Sequence, residues 1–184
     1  MIRYAAFLRG INLGSRRVTN DRLRACFQGL GLQRPATFRA SGNVIFEVDR
    51  DPADVAELSS EIEAGLEREL GFQVRTFLRD AGEIQAIAAY KPFPEELMGP
   101  SEGKLQVMLL ERAPSQSASA RVLDLASEED RLAIRGRECY WLPRGRMSDS
   151  TLDLKTIASA LGEATQRTKA TIELIAERHF PVVG

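Results

Sequence analysis

The chain predicts an α+β fold: two ferredoxin-like (βαββαβ-type) subdomains with antiparallel sheets, the second with its last strand replaced by a helix. Three observations point there. Apolar runs and helical stripes alternate as β-α-β-β-α-β over the first 79 residues. The stretch Lys91–Gly103 then interrupts with three prolines and two glycines, a linker composition. After it the order β-α-β-β-α returns. The expected domains are residues 1–79, a helix and linker over 80–103, and a second α+β subdomain over 104–184. With 184 residues, 43% of them apolar, the chain can bury one large core or two small ones.

Residues 2–8 form an apolar run with aromatics, suited to a central strand. Gly10, Asn12 and Gly14 follow, residues that tolerate the left-handed backbone of tight turns. Thr19 is the expected N-cap of a helix through Leu30, with Asp21 in its first turn and Leu23, Phe27 and Leu30 on its apolar stripe. Ala36–Ala40 and Val44–Val48 are strand-like runs around Ser41-Gly42-Asn43, a hairpin signal. Asp51-Pro52 opens a long helix in which Val55, Leu58, Ile62, Leu66 and Leu70 recur at helical spacing, and Gly71 closes it. Phe72–Arg79 is the fourth strand. Asp80 and Glu83 form a capping pair for a short helix carrying Ile84 and Ile87.

In the second half Leu105–Leu110 is a strand and Ser117–Leu125 a helix. Arg131–Arg135 and Glu138–Leu142 form a hairpin around Gly136-Arg137. Thr151–Leu161, ended by Gly162, and Thr168–Arg178 are helices.

Charge is unevenly placed. The net charge is −1, yet residues 1–43 hold eight arginines, no lysine and one acid, Asp21, so this segment carries +7 against −8 for the rest. Such polarity means either an anionic ligand for the basic part or internal pairing of the two parts. Bulk charge does not make the whole molecule a polyanion binder. Cys26 and Cys139 follow no metal or disulfide spacing, and His179 is the only histidine, which excludes His-based triads and His-rich metal sites. No metal or cofactor is expected. The run Tyr4–Leu8 is too short for a signal peptide or membrane span, so a soluble, cytoplasmic protein with no membrane partner is expected.

A ferredoxin-like sheet has the strand order 4-1-3-2. The end of the first strand and the hairpin between the second and third should therefore share one edge, with the start of the fourth, near Phe72-Gln73, arriving beside them. That juxtaposition makes Arg9, Gly10, Asn12, Gly14, Arg39, Ser41, Gly42 and Asn43 the candidate ligand-binding set. Arginine forks match carboxylate and phosphate oxygens, glycine turns bare backbone N–H groups, and the helix after Thr19 presents its positive end. The loop lacks a P-loop ending and the dinucleotide fingerprint. Asn12 and Asn43 are also ordinary turn formers, so the edge reads equally as a structural buttress. Phe7, Phe38, Phe46 and Phe77 sit on strands where aromatics can stack bases, but no strand carries the RNP pattern, and core packing is the stronger reading for them. The edge holds no catalytic acid or base beyond Asp21. Ser150, Arg167 and Lys169 of the C-terminal half complete the candidate ligand-binding residues, and catalysis would have to borrow from them; no catalytic residue is assigned.

Phe7-Leu8-Arg9-Gly10-Ile11-Asn12-Leu13-Gly14 and Ser41-Gly42-Asn43-Val44-Ile45-Phe46 closely resemble motifs of the DUF1697 domain-of-unknown-function family. Lys91-Pro92-Phe93-Pro94 is similar to its Asn-Pro-Phe-Pro segment and Thr165-Gln166-Arg167 to its Thr-Thr-Arg. The resemblance implies two ferredoxin-like subdomains and no established activity. Thr168-Lys169-Ala170-Thr171 stands where the family commonly has Asn-Trp-Asn-Thr, and Ser150-Thr151-Leu152 where it has Ser-Lys-Leu, which marks a distinct subgroup. Three readings stay open. One is a module recognising phosphate or another anion, on a nucleotide or nucleic-acid end. Another is an enzyme on a small phosphorylated substrate in a cleft between the subdomains. The last is a structural or interaction protein. Oligomeric state is not legible.

Overall fold

The computed structural model describes residues 1–14, 16–39, 42–49, 55–98 and 104–181. The chain divides into two compact units, Met1–Gln85 with Ile175–Gly184, and Ala86–Leu174.

The first unit contains β1 (Ile2–Arg9), α1 (Asn20–Gly29), β2 (Gln33–Thr37), β3 (Asn43–Val48), α2 (Val55–Leu70) and β4 (Arg75–Asp80). The strands form an antiparallel sheet in the order β2-β3-β1-β4, as the topology argument requires. Period-2 alternation sends Tyr4, Ala6, Leu8, Val44, Phe46, Val48 and Leu78 into one core with Leu23, Cys26 and Phe27 of α1 and Leu58, Ile62 and Leu66 of α2. The alternate residues Ala5, Phe7, Ile45 and Phe77 are buried too. A strand buried on both faces reads as a continuous apolar run, as β1 and β3 do.

Caps appear where the sequence places them. Thr19 accepts from Arg22 N at 3.2 Å, and Asp80 and Glu83 satisfy each other's backbone N–H groups at 2.8 and 3.0 Å ahead of α3 (Ala81–Ala89). The expected helix start at Asp51-Pro52 lies outside the described residues. The second strand runs over Gln33–Thr37 rather than 36–40. It is an edge strand with a register shift between Gln33 and Ala36, and it accommodates Pro35, which only an edge tolerates well. The fourth strand starts at Arg75, because Gly71-Phe72-Gln73 still belongs to the turn after α2.

The second unit contains, after α4 (Glu95–Met98), β5 (Gln106–Leu110), α5 (Gln116–Leu123), β6 (Asp130–Arg135), β7 (Glu138–Pro143), α6 (Leu154–Leu161) and β8 (Ala164–Thr168). Its sheet is also four-stranded and antiparallel, in the order β6-β7-β5-β8. The expectation that a helix replaces its last strand is therefore corrected. β8 pairs with β5 from Gln106↔Thr168 to Leu110↔Ala164, and the final helix α7 (Lys169–His179) follows it. The segment Ala-Thr-Gln-Arg-Thr lacks an apolar run. An edge strand needs backbone pairing on one side only, so polar residues suffice. The helix expected from Thr151 starts at Leu154, capped by Asp153, whose carboxylate accepts from Lys155 N and Thr156 N.

Candidate functional site

At the end of β1 the two N-terminal motifs meet. Phe7 pairs with Asn43 in the β1–β3 register, and Leu8 N donates to Gly42 O at 2.8 Å. Gly42 has φ +69° and no room for a side chain: a Cβ there would stand 2.9 Å from Ile11 Cγ2 and 3.2 Å from Leu8 Cβ. The start of the fourth strand reaches the same edge, with Gln73 O 3.9 Å from an ideal Cβ on Gly10 and Arg75 opposite Arg9 in register.

The asparagines serve the turns. Asn43 is 1% exposed, and its Nδ2 donates to Phe38 O at 3.1 Å while Phe38 N donates to Asn43 O at 2.9 Å. Asn12 Oδ1 accepts from Val18 N at 2.9 Å, which folds the 12–18 loop and delivers Thr19 to its capping position. Ser41 lies outside the described residues. Arg9, Gly14 and Arg39 are exposed, and Arg39 holds a left-handed backbone at φ +58°.

Six of the eight arginines of the basic segment fall into two groups. Arg3, Arg22, Arg24 and Arg34 pair with Glu47, Glu69, Asp21 and Glu47 in turn. Burial would raise the Glu47 carboxyl, but hydrogen bonding from Arg3 outweighs it and holds the group below its usual range. Internal pairing thus accounts for these four. Arg16 and Arg17 are exposed and have no carboxylate partner among the described residues. Arg16 lies over the Phe72 ring at 4.4 Å, and Arg17 Nη1 donates to Gly14 O and Arg16 O at 3.1 and 2.7 Å. These two arginines belong to the edge and were missed as candidates. Their signal was the Arg-Arg pair inside a glycine loop.

The four strand phenylalanines Phe7, Phe38, Phe46 and Phe77 are 0, 7, 0 and 3% exposed, so their rings pack the core and offer no face to a base.

The C-terminal candidates serve separate local structures. Ser150 Oγ donates to Asp130 Oδ1 at 2.8 Å and accepts from Leu152 N at 3.1 Å; Trp141 Nε1 donates to the same carboxylate oxygen at 2.7 Å. Asp130 is 3% exposed, so Ser150 and Trp141 supply the hydrogen bonds a buried carboxylate requires. Arg167 Nη1 donates to Thr165 Oγ1 and Gln166 O, and burial pushes its guanidinium down to about 10. Lys169 is 7% exposed; its Nζ donates to Ala88 O at 2.8 Å and pairs with Glu173 at 2.5 Å. That pairing answers the cost of a cation in the first turn of a helix.

Neither cysteine is a poised nucleophile. Both are buried, and desolvation raises both thiols, Cys139 to about 12. No group of three or more His, Cys, Asp or Glu suited to a metal occurs among the described residues, and no described helix is long and apolar enough to cross a membrane.

A family model described as a protein of unknown function, DUF1697, matches residues 1–140, and the chain belongs to that family. No curated protein matches it. Among solved structures it is similar to the conserved bacterial protein SP0830 from Streptococcus pneumoniae. The TM-score is 0.71 at 21% sequence identity, covering 96% of this chain and 97% of that one. At that identity the likeness concerns the fold alone.

Proposed function

We propose that this member of the DUF1697 family recognises a phosphate-bearing anion at the loop edge of its first sheet, with Arg9, Arg16, Arg17 and Arg39 as the cationic groups. The reading is carried by one observation. Exposed arginines stand on the loops of an edge whose turns at Gly10, Gly14, Arg39 and Gly42 all have positive φ. Left-handed turns of this kind leave backbone N–H groups directed outward, and Arg forks supply paired donors for oxyanions. Asn12 and Asn43 hold the loops in this reading and make no ligand contact.

The use of both asparagine side chains in the turns also favours a second reading, in which the motifs lock the end of the sheet and bind nothing. A thermal-shift screen of the full chain separates the two. Inorganic phosphate, mononucleotides and short oligonucleotides are tested at two salt concentrations, with Arg9→Ala and Arg39→Ala beside the wild type. Stabilisation that fades with salt and is lost in both variants supports anion recognition. If no phosphate compound stabilises the wild type while Arg9→Ala lowers its melting temperature, the lock is the correct reading.

A further inference from the structure

We infer that the outer edge of β6 docks an extended acidic segment of a partner protein, which adds to the second sheet as a further strand. The inference concerns the second unit and stands apart from the anion reading of the first.

The turn Gly136-Arg137 joins β6 to β7, with Gly136 at φ +60° and Arg135 opposite Glu138 in register. Residues flanking a two-residue turn exchange hydrogen bonds. Arg131, Ala133 and Arg135 therefore spend their backbone groups on β7, while Asp130, Leu132 and Ile134 turn theirs outward. Asp130 agrees with that parity: its N–H donates to Ser127 Oγ at 3.0 Å and its C=O accepts from Ser127 N at 2.9 Å. Nothing among the described residues bonds to Leu132 or Ile134 on that side. The other three sheet edges are blunted. β2 carries Pro35 and a register shift. On β4 the N–H of Thr76 donates to Glu63 Oε1 at 2.7 Å and its C=O accepts from Ser59 Oγ at 2.6 Å, both on α2. On β8 Arg167 Nη1 donates to Gln166 O at 2.8 Å. Beside Leu132, by contrast, lies a cavity of about 430 Å³ lined by Phe93, Ala126, Ser127, Glu128, Arg131 and Leu132. An extended peptide added to such an edge gains main-chain hydrogen bonds, and the cavity takes a side chain.

Charge selects the occupant. Arg131 and Arg135 share one face of β6, and neither has a carboxylate partner among the described residues. Arg135 is exposed and lies over the Tyr90 ring at 4.6 Å. Glu128, in the cavity lining, is exposed and pairs with neither. Residues four apart on a strand lie about 13 Å apart, too far for one carboxylate or phosphate to bridge them. Acids four apart on a strand alongside match that spacing. A second copy of this chain fits poorly. Antiparallel pairing of two β6 strands with Leu132 opposite Ile134 sets Arg131 against Arg135. With Ile134 opposite itself, Arg131 meets Arg137, and like charges directly opposite repel. With Leu132 opposite itself, the next bonds fall on Asp130, whose backbone groups Ser127 already holds.

The probe is the fluorescein-labelled peptide Thr-Glu-Val-Phe-Val-Glu-Thr, its acids four apart, titrated into the full chain. Fluorescence anisotropy follows binding, and NMR follows amide exchange at Leu132 and Ile134. The expected result is that the peptide binds and that saturation slows exchange at both amides. Lysine in place of both peptide acids, or Arg131→Gln together with Arg135→Gln in the chain, weakens binding about tenfold, the loss of two cross-strand charge pairs. Proline at the third and fifth peptide residues, which face Leu132 and Ile134, removes the N–H donors and abolishes binding. Far-UV circular dichroism checks that the double variant is folded, and the peptide changes test charge and backbone pairing on the unaltered chain. The inference is overturned if the peptide does not bind at about 1 mM, if the lysine peptide binds as well, or if saturation leaves exchange at Leu132 and Ile134 unchanged. Slow exchange at both amides in a peptide-free chain that sediments as a dimer assigns the edge to a second copy and overturns it too.

Discussion

Gly42→Ala tests the physical lock between the two N-terminal motifs. An added Cβ would stand 2.9 Å from Ile11 Cγ2 and 3.2 Å from Leu8 Cβ, and the backbone sits at φ +69°. A left-handed conformation costs a residue with a Cβ about 1–2 kcal/mol. Forcing a methyl into a packed site adds about 1–3 kcal/mol, and here Leu8 Cβ belongs to a central strand that moves little. Loss of chain entropy in the unfolded state returns about 0.4–1 kcal/mol. The net expectation is about 3 kcal/mol of destabilisation, or a melting temperature lowered by roughly 6–12 °C in a chain of this size. Gly14→Ala is the matched control. Its φ is +59°, but no atom lies within 4 Å of the added Cβ, so only the conformational cost remains, about 1 kcal/mol net. Urea denaturation followed by far-UV circular dichroism measures both variants. If the two lie within about 0.5 kcal/mol of each other, near the limit of such differences, the close packing of Gly42 on Leu8 and Ile11 is not what holds this edge.

Three further outcomes are expected. Asp130→Ala strips a buried carboxylate from Trp141 Nε1 and Ser150 Oγ, costing about 2–4 kcal/mol and shifting the emission of Trp141, the single tryptophan; Asp130→Asn keeps an acceptor oxygen and costs less. A Trp141 spectrum unchanged in Asp130→Ala would refute this. Stability should fall with pH in two separate windows. The unfolded chain protonates its histidine first, so the depressed His179 value makes stability decline as pH drops below 6.5, a decline absent in His179→Gln. Glu47, held below 4.5 by Arg3, keeps its contribution above that pH and loses it as pH falls through the lowered value, a loss reduced in Glu47→Gln. Melting curves from pH 8 to 3 check both windows. Thr19→Ala should cost about 1 kcal/mol by removing the cap of α1, read by the same urea titration, with no change pointing to a water that replaces the hydroxyl.

Most of the first unit was legible from residue order. Hydrophobic period and cap chemistry are local, so β1, α1, the α2 stripe and the Asp80–Glu83 box could be read residue by residue. The strand order, once inferred, also brought Arg9–Gly14 to the hairpin at Gly42-Asn43. The strand β8 was not legible: Ala-Thr-Gln-Arg-Thr carries no apolar alternation, and only hydrogen bonding to β5 makes it a strand. Side-chain duties were equally hidden. Asn12 and Asn43 look alike as turn residues, and only their acceptors and donors show that both are occupied by loop backbone.

The sequence by itself determined two α+β halves, the concentration of arginine before residue 44 and the meeting of two motifs at one sheet edge. Tertiary structure alone decided which arginines are neutralised and which share an aromatic ring. Arg3 and Arg34 converge on Glu47, while Arg178, 139 positions after Arg39, shares the Phe38 ring with it. Charge composition sums over the chain, whereas electrostatic energy depends on distance in space, and that distance exists only once the chain has folded.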